Sequence, residues 1–402
     1  MSTPTSHAVA AAPLRRKLAE ELAAEGLLSD PGWRAAARAV PRHAFTPGFY
    51  LQAGAAEDGL PVWEPVTAAT DPDRWLRTVY TDTTLVTQFD GDEPDWEHPA
   101  PRTGGTPTSS STLPSLVLRM WLDAELRPGH DVLEIGTGTG YSTALACQWL
   151  GDEGDIVSLE VDPRRAAQAA EALYGCGYRP GLAVADGLYG YWPYAPYDRI
   201  VAACSVRSIP AGWIAQSRPG GKILSTLSGW LNGSARALLT VADPVAGTAE
   251  GPLLDGTISF MLARTHLPPA PGSPGHWQGL LDGPPRLARH APARITPTDE
   301  ATFFARFLAQ LAAPHAVMST VGDTVYFTDP VTGSAASLTP QGGDWVVRQG
   351  GRAALWDAIE AALDAWDAAG EPGPGHFRVR VEPDRQEVYL PGVPALAFRL
   401  PQ

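Results

Sequence analysis

Cysteine is scarce in this 402-residue chain and lysine is almost absent. The three cysteines, Cys147, Cys176 and Cys204, are isolated, odd in number and in no metal-ligand spacing. That pattern argues against a disulfide framework or a metal site and fits reduced core thiols in a cytoplasmic protein. Lys17 and Lys222 are the only lysines among thirty basic residues, which face forty-four acidic ones for a formal charge of -14. With no basic block to grip phosphates, a nucleic-acid partner is not expected. No apolar run reaches the roughly eighteen residues of a membrane span. The start, residues 1 to 13, has an Ala-rich patch but no basic stretch before a sustained apolar core, so no secretion signal is read. What the chain does have is length enough for two units, 44% hydrophobic residues, and a regular pattern in its middle.

That middle contains Asp131-Val132-Leu133-Glu134-Ile135-Gly136-Thr137-Gly138-Thr139-Gly140, a buried strand running into a glycine turn and then a helix. Glycines at 136, 138 and 140 let the backbone turn tightly and bring its amides against a ligand with no Cβ in the way. A second strand, Asp155 to Leu159, ends in Glu160, about twenty residues past the turn, where a carboxylate meets ribose hydroxyls. A turn of this kind also serves plain packing, so the spacing has to decide. The dinucleotide fingerprint needs glycine at 141, where Tyr141 stands. G-x-G-x-G with an acidic strand end instead resembles S-adenosylmethionine-dependent methyltransferases, which implies S-adenosyl-L-methionine as cofactor.

The flanking pattern predicts two helices within Leu14 to Val40, broken at Ser29-Asp30-Pro31-Gly32, and a mostly irregular stretch over 51 to 110. From Leu113 helices and strands alternate: helix to Leu126, the 131–135 strand, helix 141–150, strand to Leu159, helix Pro163 to Gly175, then strands near Leu182–Val184 and Asp198–Ala203. Alternation of this type means a doubly wound, mainly parallel α/β sheet. Lys222–Leu224, Ala235–Val241 and Ile258–Leu262 read as later strands. The boundaries expected are a catalytic domain over 1–265 (helices 14–40, substrate loop 86–112, cofactor core 113–265), a Pro/Gly-rich linker over 266–297, and a small α/β unit over 298–402 with helix faces at Phe303–Leu311 and Leu355–Trp366 and a hairpin over 376–390.

Val40-Pro41-Arg42-His43-Ala44-Phe45-Thr46-Pro47 resembles the V-P-R-H-x-F-x-P segment of protein-L-isoaspartate O-methyltransferases. The resemblance continues in order through Tyr80-Thr81-Asp82, the glycine loop, Glu160, Asp186-Gly187, Ala195 to Ile200, Ile209-Pro210 and Arg218 to Gly221. It implies a Rossmann-like methyltransferase fold with cofactor contacts at Glu134, Gly136, Thr137, Gly138, Gly140, Tyr141, Glu160, Val161, Asp186 and Gly187. In that arrangement Glu160 takes the ribose hydroxyls, and Asp186 with Gly187 reads the adenine. Asp186 as a turn residue, and Asp198 as either a cofactor-facing or a turn-capping carboxylate, stay open. His43 reads as a packing or hydrogen-bonding residue, and the aromatics Tyr189, Tyr191, Trp192, Tyr194 and Tyr197 as an adenine-side wall or as core.

The chain departs from that family just before the glycine loop. Where the repair enzymes carry T-I-S-x-P, it has Ser110-Ser111-Thr112-Leu113-Pro114. These hydroxyls either cap the helix beginning near Pro114 or contact the acceptor, and Ser110, Ser111 and Thr112 are taken as the catalytic candidates. Its length beyond the repair enzymes resembles homologues that methylate a specific aspartate of a ribosomally made, modified peptide, a lanthipeptide or graspetide, with collapse to a succinimide. The implied partner is a modified precursor peptide. General isoaspartyl repair, and a non-catalytic peptide scaffold, are the competing functions. No oligomeric state follows from these features.

Overall fold

A computed structural model describes residues 4–270 and 274–401 and divides the chain into two units, Met1–Ala203 and Cys204–Gln402.

In the first unit α1 (Pro4–Ala24) starts earlier than the expected Leu14. The next helix, α2 (Pro31–Ala39), is set by its sequence: the Asp30 carboxylate accepts from the amides of Gly32 and Trp33, and Pro31 occupies the first turn, where its missing N–H is no loss. Residues 51 to 110 are not irregular. They supply β1 (Gly48–Ala55), β2 (Pro61–Thr67), α3 (Pro72–Val79), β3 (Leu85–Phe89), β4 (Arg102–Thr103) and β5 (Pro107–Ser111). The strands form an antiparallel sheet in the order β4-β2-β1-β3-β5. Prolines at 61 and 65 and two-residue pairing at β4 hide the alternation on which strand recognition depends.

The second layer begins with α4 (Pro114–Asp123) and continues through β6 (Asp131–Ile135), α5 (Tyr141–Leu150), β7 (Asp155–Glu160), α6 (Pro163–Gly175), β8 (Gly181–Val184) and β9 (Tyr197–Val206). These follow the sequence pattern closely. The strands are parallel in the order β9-β6-β7-β8, with Leu133 opposite Val157 on one side and Ile200 on the other. Val132, Leu133, Val157, Leu159 and Ile200 are buried, as helices covering both faces require. From β6 the chain moves outward to β7 and β8 and then returns to β9 on the other side, so a crevice opens beyond the carboxyl end of β6, the usual ligand position in such sheets.

The second unit contains α7 (Ala211–Ala215), β10 (Ser217–Ser228), β11 (Ser234–Asp243), β12 (Thr248–Leu254), α8 (Pro274–Gln278), β13 (Arg286–Leu287), α9 (Glu300–Ala312), β14 (Val317–Val321), β15 (Thr324–Asp329), β16 (Ser334–Gln341), β17 (Asp344–Gly350), α10 (Leu355–Ala368), β18 (Arg378–Glu382), β19 (Arg385–Leu390) and β20 (Val393–Arg399). Ile258–Leu262 is not a strand; only Leu262 bridges, to Ser205. The strand in that region is β12.

The 298–402 segment shares a sheet with strands that precede it. Strand β18 pairs along β12, Ala249 opposite Val381, so β20-β19-β18-β12-β11-β10 form one antiparallel run. A further sheet, β13-β17-β16-β15-β14, lies in the same unit. Nor is 266–297 a free linker. Arg286 pairs with Asp357 and, at 2.8 Å, with Glu360; Arg289 meets Asp364 at 2.9 Å, and Arg294 meets Asp367 and Glu371 at 2.8 and 2.7 Å. The segment is strapped to α10, apart from 271–273, which lie outside the described residues. No helix among the described residues is long and apolar enough to cross a membrane.

Candidate functional site

The glycine turn is built for close approach. Gly136, Gly138 and Gly140 have φ of 96°, 55° and 87°, left-handed values that L side chains adopt at a cost. The turn is pinned from below by the Leu159 carbonyl, which accepts from the amides of Gly136 and Thr137 at 2.8 and 3.0 Å. Its upper side is open. A Cβ placed on Gly138 would meet only the carbonyl oxygen of Ser110, at 3.8 Å. Gly187, by contrast, is closed: a Cβ there would lie 2.3 Å from Ile135 Cγ2, so the segment after β8 rests directly on the end of β6.

Three acids surround this turn. Glu160, at the end of β7, accepts from Gly138 N (2.9 Å) through Oε2 and from Asp162 N (3.1 Å) through Oε1. Each oxygen retains a lone pair, so hydroxyl donors fit beside these bonds. Glu134 is wholly buried beneath the loop, where its Oε2 accepts from Thr143 Oγ1 (2.5 Å) and Ser158 Oγ (2.7 Å), while Oε1 completes no hydrogen bond. Burial pushes its carboxyl up, against the opposing effect of the hydroxyls of Ser142, Thr143 and Ser158. Thr137 belongs to the same layer, its hydroxyl 2.7 Å from Ser158 Oγ. Asp186 accepts from the Leu188 amide at 3.0 Å, the turn role read from sequence, yet it stands at the carboxyl end of β8 on the crevice side. Val161 is exposed beside Glu160, and Tyr141 is buried at the start of α5.

The hydroxyl run lies along β5 and continues one residue past it, to Thr112. Residues alternate along it: Ser109 and Ser111 are buried and Ser110 and Thr112 half-buried. Ser111 Oγ accepts from Arg42 Nε at 3.2 Å, so this hydroxyl already serves a bond within the protein. Helix capping does not explain the run either. Leu113 is the residue before α4 and gives no side-chain cap; Asp82 accepts from Ser115 N at 2.8 Å and Thr84 from Leu113 N at 3.2 Å.

Arg42, in the V-P-R-H segment, is a site residue that the sequence pattern does not single out. Its Nη1 donates to the carbonyls of Val79 and Thr81 at 2.8 and 2.9 Å, and its Nη2 to those of Thr83, Ser111 and Thr112 at 2.9, 3.0 and 3.0 Å. Full burial lowers its pKa to about 10. No carboxylate pairs with it in these bonds; a single guanidinium joins three loops through their backbones. Its place in the V-P-R-H segment was the available signal.

The remaining candidates fall into place. His43 Nδ1 lies 2.7 Å from Tyr80 Oη, and burial, with Arg15 and His7 adding, lowers its pKa to about 4, so it is a neutral hydrogen-bonding residue at pH 7. Asp198 does not face the crevice: its Oδ2 accepts from Asp131 N at 2.9 Å, at the starting ends of β6 and β9. Among the aromatics only Tyr197 is core, donating to the Tyr191 carbonyl at 2.5 Å; Tyr189, Trp192 and Tyr194 are 76, 62 and 58% exposed. Burial holds the Cys147 thiol up near 12, out of reach of thiolate chemistry.

A parallel β9-β6-β7-β8 sheet with a glycine loop and acids at its carboxyl ends defines a Rossmann-like methyltransferase fold. A solved structure described as a protein-L-isoaspartate O-methyltransferase shares that fold at a TM-score of 0.52 and 20% identity, covering 94% of this chain and 99% of its own. Residues 76–231 match the family model for protein-L-isoaspartate(D-aspartate) O-methyltransferase. A protein-L-isoaspartate O-methyltransferase of Archaeoglobus fulgidus is 33% identical over 211 residues, 52% of this chain and 77% of that protein. The chain belongs to the protein-L-isoaspartate O-methyltransferase family. Relatives of the same name from Ignicoccus hospitalis (39% identical, 27% of this chain) and Thermococcus onnurineus (35%, 32% of this chain) are matched over 52 and 59% of their lengths. The length beyond 265, expected to set this chain apart from repair enzymes, thus has a counterpart in the fold of the solved structure.

Proposed function

We propose that this chain is an S-adenosyl-L-methionine-dependent carboxyl O-methyltransferase acting on aspartyl side chains of a peptide or protein. The observation that carries the reading is the approach of β5 to the glycine turn, with the Ser110 carbonyl as the nearest group to the open side of Gly138. When bound, the cofactor supplies an electrophilic methyl on a sulfonium. The turn at Gly136 to Gly140 and Tyr141 would hold its amino-acid end, Glu160 with Val161 the ribose, and Asp186 with Gly187 the adenine. Glu134 and Thr137 would support that turn from beneath.

A carboxylate is ionised and nucleophilic at neutral pH, so no strong base is required. The chain's task is placement: hydroxyls of Ser110 and Thr112 orient the acceptor oxygen, and Arg42 keeps their strand in position through Ser111. Once esterified, the acceptor side chain carries a good leaving group, and the following amide nitrogen expels methanol to close a succinimide.

For the acceptor we propose an aspartate in a ribosomally made, conformationally constrained peptide, with 298–402 contributing to recognition. The Ser110-Ser111-Thr112 departure supports this reading. General isoaspartyl repair is favoured by a different observation, the length shared with the solved structure described as a protein-L-isoaspartate O-methyltransferase. Competition between a cyclised aspartate-containing peptide and a linear isoaspartyl peptide, followed by mass spectrometry, separates them: faster esterification of the linear isoaspartyl peptide selects repair.

A further inference from the structure

We infer that Gln88 is a positioning residue that ties the acceptor strand to the ribose carboxylate, so that the two halves of the site are held as one. The inference rests on the functional reading above. Gln88 is fully buried on β3, where the register with β5 shifts on both sides of it: Val86 faces Ser110, Gln88 faces Ser109 and Phe89 faces Pro107. Such a bulge re-aims a side chain. The amide so placed makes three bonds. Its Oε1 accepts from Thr108 Oγ1 on β5 at 2.9 Å, and its Nε2 donates to the Gly91 carbonyl at 3.3 Å and to Asp162 Oδ2 at 3.0 Å.

Asp162 passes the constraint on. Its Oδ1 accepts from the amides of Arg164 and Arg165, capping α6, and its own amide donates to Glu160 Oε1. Glu160 Oε2 in turn accepts from Gly138 N, beside which the Ser110 carbonyl of β5 lies. A closed path therefore runs from β5 through Gln88, Asp162 and Glu160 to the glycine turn and back. A second tie reinforces it: Glu93, in the connection after β3, pairs with the buried Arg165 and accepts from Gln168 Nε2 at 2.7 Å. Fully satisfied buried polar networks of this kind hold one geometry, and loss of one member leaves the others unpaired.

The test is calorimetric binding of S-adenosylmethionine to the full chain. Gln88→Met keeps the length and removes all three bonds; Gln88→Glu keeps an acceptor for Thr108 but sets a carboxylate against Asp162, with Glu160 and the Glu93–Arg165 pair close by. Measured where thermal melts show every variant folded, both substitutions weaken binding about tenfold at pH 7.5, the loss of roughly one hydrogen bond to a charged group. Near pH 5 the Gln88→Glu variant regains most of its affinity as its new carboxyl takes up a proton and donates again, while Gln88→Met does not. Unchanged affinity in both variants, with only the melting temperature lowered, overturns the inference and leaves the functional reading standing. Absence of binding by the unsubstituted chain overturns both.

Discussion

Arg42 holds Ser111 twice, with Nε 3.2 Å from its hydroxyl and Nη2 3.0 Å from its carbonyl. The pair sits at the junction of the segment after α2, the 79–83 loop and the end of β5, none of which is adjacent in sequence. Because the guanidinium is planar and its donors fixed in direction, the carbonyls it binds fix one another.

Replacing Arg42 by Met should therefore cost far more than a surface arginine would. The carbonyls of Val79, Thr81, Thr83, Ser111 and Thr112 lose this donor together, and a loss of roughly 3 kcal/mol or more is expected in urea unfolding. Arg42→Lys should recover little, since one ammonium cannot reach all five. A change under 1 kcal/mol for Arg42→Met contradicts this account of the junction.

The three hydroxyl candidates should separate. Ser111→Ala loses a buried bond and should lower stability by about 1 kcal/mol with turnover per folded molecule preserved. Ser110→Ala with Thr112→Val should leave the melting temperature and cofactor affinity in place and slow methyl transfer about tenfold or more. The reverse pattern would assign acceptor contact to Ser111.

His43 gives a pH dependence with a definite sign. Its folded pKa, about 4, lies below the ordinary value of 6.5, so the unfolded chain binds the extra proton. Its stabilising contribution is fully present above about pH 6.5 and is lost as pH falls towards 4, because an imidazolium there would be buried and would face Arg15 and His7. Melting curves between pH 7 and 4.5 should flatten in His43→Gln relative to the unsubstituted chain; parallel curves would dissociate His43 from the acid limb.

Ending the chain near Ala270 should not release a working core. It strips β18 from β12, leaving the register from Ala249 to Pro252 as an open edge, and removes α9 with its buried Phe304, Phe307 and Leu308. Exposed edges of that kind associate, so the shortened protein should aggregate on refolding. A soluble, cofactor-binding fragment would restore the separate-domain reading.

The parts of the molecule that were legible in the sequence are those built from local rules. The β6-turn-α5-β7 unit and α6, with Asp162 before Pro163, follow from buried runs, glycines and caps spaced within a few residues. The 51–110 sheet was hidden because Pro61, Pro65 and a two-residue β4 break alternation, and β14, β16 and β17 because short polar hairpins resemble loops. Gln88 and Arg42 act across 74 and 69 residues of chain, distances at which no spacing signals a partner. The strapped 266–297 segment has the composition of a linker, and only the acidic face of α10 shows why it is held.

The central claim is methyl transfer from S-adenosylmethionine to a peptide carboxylate, and mass spectrometry of the full-length protein with the cofactor and an aspartate-containing cyclised peptide tests it most directly. The account predicts a methyl ester first and then a species one water lighter than the starting peptide, as closure to a succinimide requires. Neither species forming, on this peptide or on its linear and isoaspartyl counterparts, while the cofactor stays intact with folded protein, would contradict it.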